Sequence, residues 1–394
     1  ATFLFFFNQT QFLMKHSLRR FSGTCLLLMG ISANTFAQSA EPINIVTTAV
    51  PFLRISPDAR AGGMGDMGIS TTPDINSQFY NVAKYPFTKS SAGIGLTYTP
   101  WLKDLGLNDV FLASLAGYYK FDEQQAISAS LRYFSLGNIQ FTDALGNDLN
   151  QFNPREFGLD LGYSRKLSDQ LSLGVALRYI YSNLAGGAST NGYSYKAGTA
   201  VAGDIGLYYT TANEEGQGWN VGAAFTNLGS KISYTSDASQ RNFIPANLGV
   251  GVGHTWVTNE VHKITLNGEF NKLLVPAPPG SNADSADYAK YNSDGVVTGW
   301  FKSFSNNALG YSVGGEYMYN DQFALRAGYY GESANMGKRS YVTLGVGINY
   351  NIFGLNFSYL LPSGNGVNRN PLSNTIRFSL LFNLGGEMET GTGQ

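Results

Sequence analysis

From Ser91 onward the chain alternates apolar and polar residues with a period of two. In "FGLDLGYSRKL", residues 157–167, Phe157, Leu159, Leu161 and Tyr163 share one parity, and Gly158, Asp160, Gly162 and Ser164 share the other. Successive side chains of a strand project to opposite faces, so this pattern predicts a sheet with two chemically different sides. The split recurs: Leu171, Leu173, Val175, Leu177 and Tyr179 oppose Ser172, Gly174, Ala176 and Arg178, and Ile376, Phe378, Leu380 and Phe382 oppose Arg377, Ser379 and Asn383. It predicts about 14 strands, near 91–101, 109–121, 126–137, 155–167, 170–184, 199–210, 218–228, 246–258, 261–273, 308–320, 322–332, 339–351, 353–361 and 373–385. Most run longer than the roughly five or six residues of a globular strand, and are long enough to cross a bilayer when tilted.

The connections alternate too. Those after even-numbered strands are short, as at 122–125, 168–169, 259–260 and 320–321, whereas those after odd-numbered strands include 138–154, 185–198, 229–245 and 274–307. Short turns at one end and long loops at the other describe an outer-membrane barrel with periplasmic turns and extracellular loops. In hydrocarbon an unpaired backbone amide costs several kcal/mol, so a spanning sheet must close on itself. Aromatic residues near predicted strand ends, among them Tyr98, Trp101, Tyr119, Tyr209, Trp256, Tyr319 and Tyr350, suit the two interfacial girdles. A soluble periplasmic β-sandwich, the competing architecture, predicts shorter strands and no asymmetry of loop length. The fold expected is an all-β membrane protein, an antiparallel transmembrane β-barrel over 91–385.

Composition agrees with a membrane barrel. Only 13% of the 394 residues are charged, while 24 Tyr, 26 Phe and 47 Gly make the chain aromatic and glycine-rich. A net charge of −1 offers no basic field for nucleic acid. "MKHSLRRFSGTCLLLMGISANTFAQ", residues 14–38, has a basic start, an apolar run and small residues around Ala37, as a cleaved secretory signal peptide does. Residues 1–13 then read as an upstream extension, 14–37 as the signal peptide, and 386–394 as a polar periplasmic tail. Cys25, the one cysteine, falls within the leader, so the mature chain is expected to carry no thiol, disulfide or cysteine metal site.

If the apolar parity faces lipid, the other parity faces the lumen. It contains Arg132, Arg178, Arg326 and Arg377 together with Asp160, Asp204, Glu269 and Glu316. Charges at mid-strand are costly toward lipid and tolerated inside when paired, so the favoured reading is an ion-paired filling of the lumen. A barrel of this size encloses more space than its wall side chains fill. The segment 38–90 precedes the first strand and is expected to fold back inside as a plug. "PFLRISPDARAGGMGDMG", residues 51–68, lies within it and resembles a phosphate-cradling loop, but no Gly-Lys-Ser/Thr and no helical continuation accompany it. Its Asp58, Arg60, Gly62, Gly63, Gly65 and Asp66 are expected instead to shape the plug and fix it to the wall.

The stretch "TAVPFLRISPDARAGGMGDMGISTTPDINSQFYNVAK", residues 48–84, and above all Ser56 to Asp66, resembles the opening of the PorV family, outer-membrane components of the type IX secretion system within the FadL-like barrel superfamily. The likeness extends over the whole mature chain. It implies a non-enzymatic protein without cofactor, partnered by the translocon barrel, by the C-terminal signal domains of cargo and by the surface attachment complex. Cargo would meet the long loops, where Phe141, Phe152, Tyr193, Tyr195, Tyr234, Phe243, Tyr288 and Tyr291 are candidate aromatic anchors. Two other functions compete. A FadL-like channel for long-chain fatty acids or other hydrophobic solutes requires an apolar tunnel, which the charged and small lumen positions disfavour. A lipid hydrolase requires an activated nucleophile, yet the mature chain has only His254 and His262, both of outward parity and with no clear nucleophile beside them.

Overall fold

A computed structural model describes residues 44–102, 106–142, 145–186, 189–190, 193–237, 241–280, 282–361 and 374–387. The expected leader at 14–37, the upstream extension at 1–13 and the tail beyond Glu387 lie outside the described residues. Fourteen strands form the wall: β1 (Ser90–Pro100), β2 (Val110–Lys120), β3 (Gln125–Leu136), β4 (Arg155–Lys166), β5 (Leu171–Asn183), β6 (Gly198–Thr210), β7 (Gly218–Gly229), β8 (Asn247–Thr258), β9 (His262–Leu273), β10 (Leu309–Tyr319), β11 (Phe323–Glu332), β12 (Ser340–Tyr350), β13 (Phe353–Leu360) and β14 (Ile376–Glu387). Each pairs antiparallel with the next in sequence, and β14 returns to β1 through a register that sets Tyr98 opposite Phe378, closing the barrel. The ends agree with the alternation to within one residue in every strand but the last. That strand begins later than the pattern suggests, after Asn374 turns the chain at a positive φ of 63°.

The two rims differ as the loop lengths require. At the turn end, Asn259–Glu260 and Asn320–Asp321 both hold positive φ between 52° and 60°, the left-handed pair whose twist matches that of the flanking strands. At the long-loop end two small hairpins, Ile139–Thr142 with Asp148–Phe152 and Ser189–Thr190 with Tyr193–Ser194, stand above the wall.

Strand parity separates two environments sharply. Along β4 and β5, Leu161 and Leu177 are 63% and 70% exposed on the outside, while their neighbours Asp160 and Arg178 are 0% and 2% exposed inside. Leu, Val, Ile and aromatic side chains cover the outer wall all the way round, which is the lipid-facing belt of a membrane barrel. No described helix is long and apolar enough to cross a membrane. Leu177→Arg on this belt is expected to cost about 2–4 kcal/mol, and to show as a lower yield of the compact, heat-modifiable band in semi-native electrophoresis.

Residues 44–89 form the plug. Prolines at 51, 57, 73 and 86 break up regular structure, leaving short 3-10 turns at Pro51–Arg54, Ile75–Phe79 and Val82–Phe87 and one helical turn, α1 (Ala59–Gly62). Side chains cap what the backbone leaves open: Asp58 accepts from the Ala61 amide, Asp74 from Asn76, and Asn81 from Ala83. Such caps matter where water is excluded, because an orphaned buried amide is costly. The plug runs from one rim to the other. Asn44 and Val46 bond to Pro278 and Asn335 among the long loops, whereas Thr88 accepts from Lys120 at the turn end, just before β1 begins.

Candidate functional site

The plug is held by charged groups on β9, β10 and β14. Arg60, on α1, donates to both oxygens of Glu316 on β10 at 2.9 and 3.1 Å, to Asp74 at 2.8 Å and to the Thr72 carbonyl at 3.0 Å. Glu316 is shared with Arg326 of β11 at 2.5 Å, and Arg326 continues to Asn356 at 2.8 Å. Asp66 meets Arg377 of β14 at 3.1 Å and accepts from the Tyr341 hydroxyl at 2.5 Å. Glu269 of β9 accepts from the backbone amides of Gly68 and Ile69, both at 2.9 Å. Asp58 stays inside the plug, taking the Tyr80 hydroxyl at 2.7 Å.

A second network lies on the opposite wall. Arg178 of β5 pairs with Asp160 of β4 and, at 2.9 Å, with Asp204 of β6, while Asn227 of β7 donates its backbone amide to Asp204 at 2.7 Å. Here the β6–β7 ladder slips between Gly203 and Ile205, and Arg178 also reaches Asn227, so the irregularity is filled from within. Arg132 of β3 stands 3.9 Å from Asp160 and donates to the Leu53 carbonyl at 3.1 Å. All eight lumen charges named from the sequence are buried, at 7% exposure or less.

Close approach sets the glycines. Gly65 has φ 78°, and a Cβ there would press on the Tyr329 carbonyl; Gly62 and Gly63 lie against Arg377 and against Gly345. The run is therefore occupied by wall contacts, and its amides are taken up by carboxylates, hydroxyls and backbone carbonyls of the protein itself. The sequence reading overlooked Lys84, which is 1% exposed and donates to the Gly68 carbonyl at 2.8 Å and Thr71 at 3.0 Å, pinning the second half of the plug to the first.

At the long-loop rim most of the candidate anchors hold the loops to one another. Phe141 and Phe152 stack at 6.5 Å across their hairpin. Phe243 is 4% exposed, with Tyr291 edge-on at 5.7 Å and the Lys231 ammonium 3.9 Å from its ring centre. Burial pushes the Lys231 ammonium down and, with Asp294 nearby, the Tyr291 phenol up to about 12. Tyr234 donates to Ser182 at 2.9 Å, and Tyr195 is bridged to Thr235. The Tyr193 side chain lies outside the described residues, and Tyr288 is exposed on α2 (Ser285–Ser293). Beside Tyr288, three outward-facing apolar residues went unnoticed in the sequence. Val297 and Phe301 of α3 (Val296–Lys302), with Phe304 just beyond, are 56%, 73% and 63% exposed, on one apolar stripe of helical spacing.

The two histidines sit at the turn end of the wall. His254 is wedged between Trp219 and Trp256, and His262 shares a 2.8 Å hydrogen bond with Tyr317. They belong to the interfacial girdle.

A family model described as "Type IX secretion system protein PorV" matches residues 38–280. No curated protein sequence matches the chain. Among solved structures, the Ralstonia pickettii toluene transporter TbuX aligns with TM-score 0.53 at 12% identity, covering 82% of this chain and 97% of that one. A TodX deltaS2S3 mutant, a monoaromatic hydrocarbon channel, aligns with TM-score 0.51 at 13% identity, covering 83% and 99%. A Pseudomonas aeruginosa FadL homologue stands at 0.48 and 13%, covering 86% and 99%. Identities this low speak for the fold alone, the barrel shared with TbuX and the TodX mutant.

Proposed function

Because the chain belongs to the PorV family of type IX secretion system proteins, we propose that this outer-membrane barrel receives secreted cargo from the translocon barrel by the cargo's C-terminal signal domain and passes it to the surface attachment complex. The observation that carries the reading is the state of the lumen. A plug crossing from rim to rim, tied to β9, β10, β12 and β14 by buried carboxylates, arginines and hydroxyls, leaves no passage for a protein. The barrel then acts from its surfaces. Loops knit together by Phe243, Tyr291 and Lys231 form a stiff crown, and stiff scaffolds bearing exposed loops are where recognition resides. The stripe of Val297, Phe301 and Phe304 is an exposed apolar element of it and the first candidate for contact with cargo or translocon.

Replacing residues 285–305 with a short Gly-Ser linker is expected to preserve the barrel and abolish capture of a cargo signal domain in pull-downs from detergent-solubilised envelopes, with cargo accumulating in the periplasm. Capture and secretion at the unaltered level would remove the crown from the mechanism. The double change Phe301→Ser with Phe304→Ser is the gentler version, expected to weaken capture at least tenfold if the stripe is the contact.

A further inference from the structure

Between the plug and the loop-side half of the wall lies a cavity of about 250 Å³. Its lining includes Phe52 and Phe79 from the plug and Phe134 from β3, with Arg132 over the Phe79 ring at 5.4 Å and Trp101 against Phe134 at 5.0 Å. It also includes the carboxylates of Asp66, which pairs with Arg377, and of Glu269, which accepts the Gly68 and Ile69 amides. Among these groups stand hydrogen-bond donors that no protein atom satisfies. Arg132 Nε, Arg377 Nη1, the Thr99 hydroxyl and the Trp101 indole nitrogen are all buried and unpartnered, and Thr99, Arg132 and Arg377 are at most 2% exposed. They are neighbours by register. Arg377 leaves β14 next to the Tyr98–Phe378 pair, Thr99 leaves β1 one residue beyond that pair, and Arg132 leaves β3 two strands further round. That places the three Cα positions within an arc of about 15 Å along one wall.

Charge points the same way. Asp160, the carboxylate nearest Arg132 at 3.9 Å, already accepts from Ser130 at 2.6 Å and from Arg178. Arg132 therefore lacks a carboxylate of its own, and its one hydrogen bond to the plug goes to the neutral Leu53 carbonyl. A buried guanidinium calls for a counter-charge, and planar oxyanions fit its donors. From this geometry we infer that the cavity is a binding site for a small organic anion, an oxyanion group on a compact apolar body. The oxyanion lies against the Arg132 and Thr99 side, and the body lies against Phe52, Phe79 and Phe134. The volume, at the low end for ligand pockets, suits a single ring or a short branched chain and excludes a long acyl chain.

Equilibrium dialysis of the full barrel in non-ionic micelles tests this with labelled benzoate, with phenyl phosphate and toluene as competitors and protein-free micelles as the blank. One-site saturable uptake of benzoate, displaced by phenyl phosphate and at least tenfold less readily by toluene, is expected, and the tighter of the two anions identifies the head group. Thr99→Val removes a hydroxyl that makes no hydrogen bond to protein and keeps the side chain's shape, so it leaves the heat-modifiable barrel intact and weakens benzoate about three- to tenfold. No saturable uptake above the blank, displacement by toluene as strong as by the anions, or full affinity in Thr99→Val would each overturn the inference.

Discussion

An Arg60→Ala variant will assemble into a normal barrel and lose its plug. The guanidinium is 9% exposed and serves three acceptor residues at once, Glu316 on the wall and Asp74 and Thr72 within the plug. Its removal leaves the buried Glu316 with Arg326 alone and the partly exposed Asp74 without its cation. Taking one partner from a buried ion pair costs about 3–5 kcal/mol, a figure that applies here to the loss at Glu316. The wall has its own continuous ladder of hydrogen bonds around all fourteen strands, so the cost falls on the plug. The expected readouts are stepwise ion conductance in planar bilayers, against an expected silence of the parent protein, and new protease cleavage within 50–80. Lys in place of Arg restores the charge and leaves the fork unfilled, so Arg60→Lys should conduct intermittently. A silent, protease-resistant Arg60→Ala would show that packing alone retains the plug.

The second large effect is expected from the wall. Gly328 on β11 faces the plug backbone so closely that a Cβ there would run into the Met64 carbonyl carbon and the Gly65 nitrogen. Neither atom belongs to a side chain that can rotate away. Gly65 is itself fixed, at φ 78°, by the Thr343 hydroxyl bonding its amide at 2.8 Å and by Ser312 donating to its carbonyl at 2.7 Å. Gly328→Val therefore forces the strand or the plug to move. A paired strand in a closed barrel is the stiffer of the two, so the plug moves. The variant should conduct as Arg60→Ala does while all its charges remain in place. Conductance confined to Arg60→Ala would make electrostatics the whole of the attachment.

Most of the wall was legible because a strand in a two-solvent sheet writes its geometry into every second residue. Leu159 with Leu161 and Asp160 with Arg178 declare their sides without reference to anything distant. The plug was legible in outline only. That Arg60 and Asp66 fix it could be guessed from their company, but Glu316 and Arg377 stand more than 250 positions away, and nothing local names them. Lys84 was missed for a related reason: its partners are a carbonyl and a hydroxyl, which leave no charge pattern. The loops misdirected attention. Aromatic content drew it to Phe243 and Tyr291, which pack inward, whereas the stripe on α3 spans two turns inside a Pro/Gly/Ser/Asp-rich stretch, too short for its helical period to stand out.

The order of the strands along the chain also bears on when the wall can close. The chain lies along the axis before it becomes the first stave, entering beside Asn335 and leaving beside Lys120, and the last stave zips against the first only at the end of the polypeptide. The seam between Ser90–Pro100 and Ile376–Glu387 cannot be made before the last stave exists, and until then both edges of the wall carry unpaired amides that must be kept from other partners.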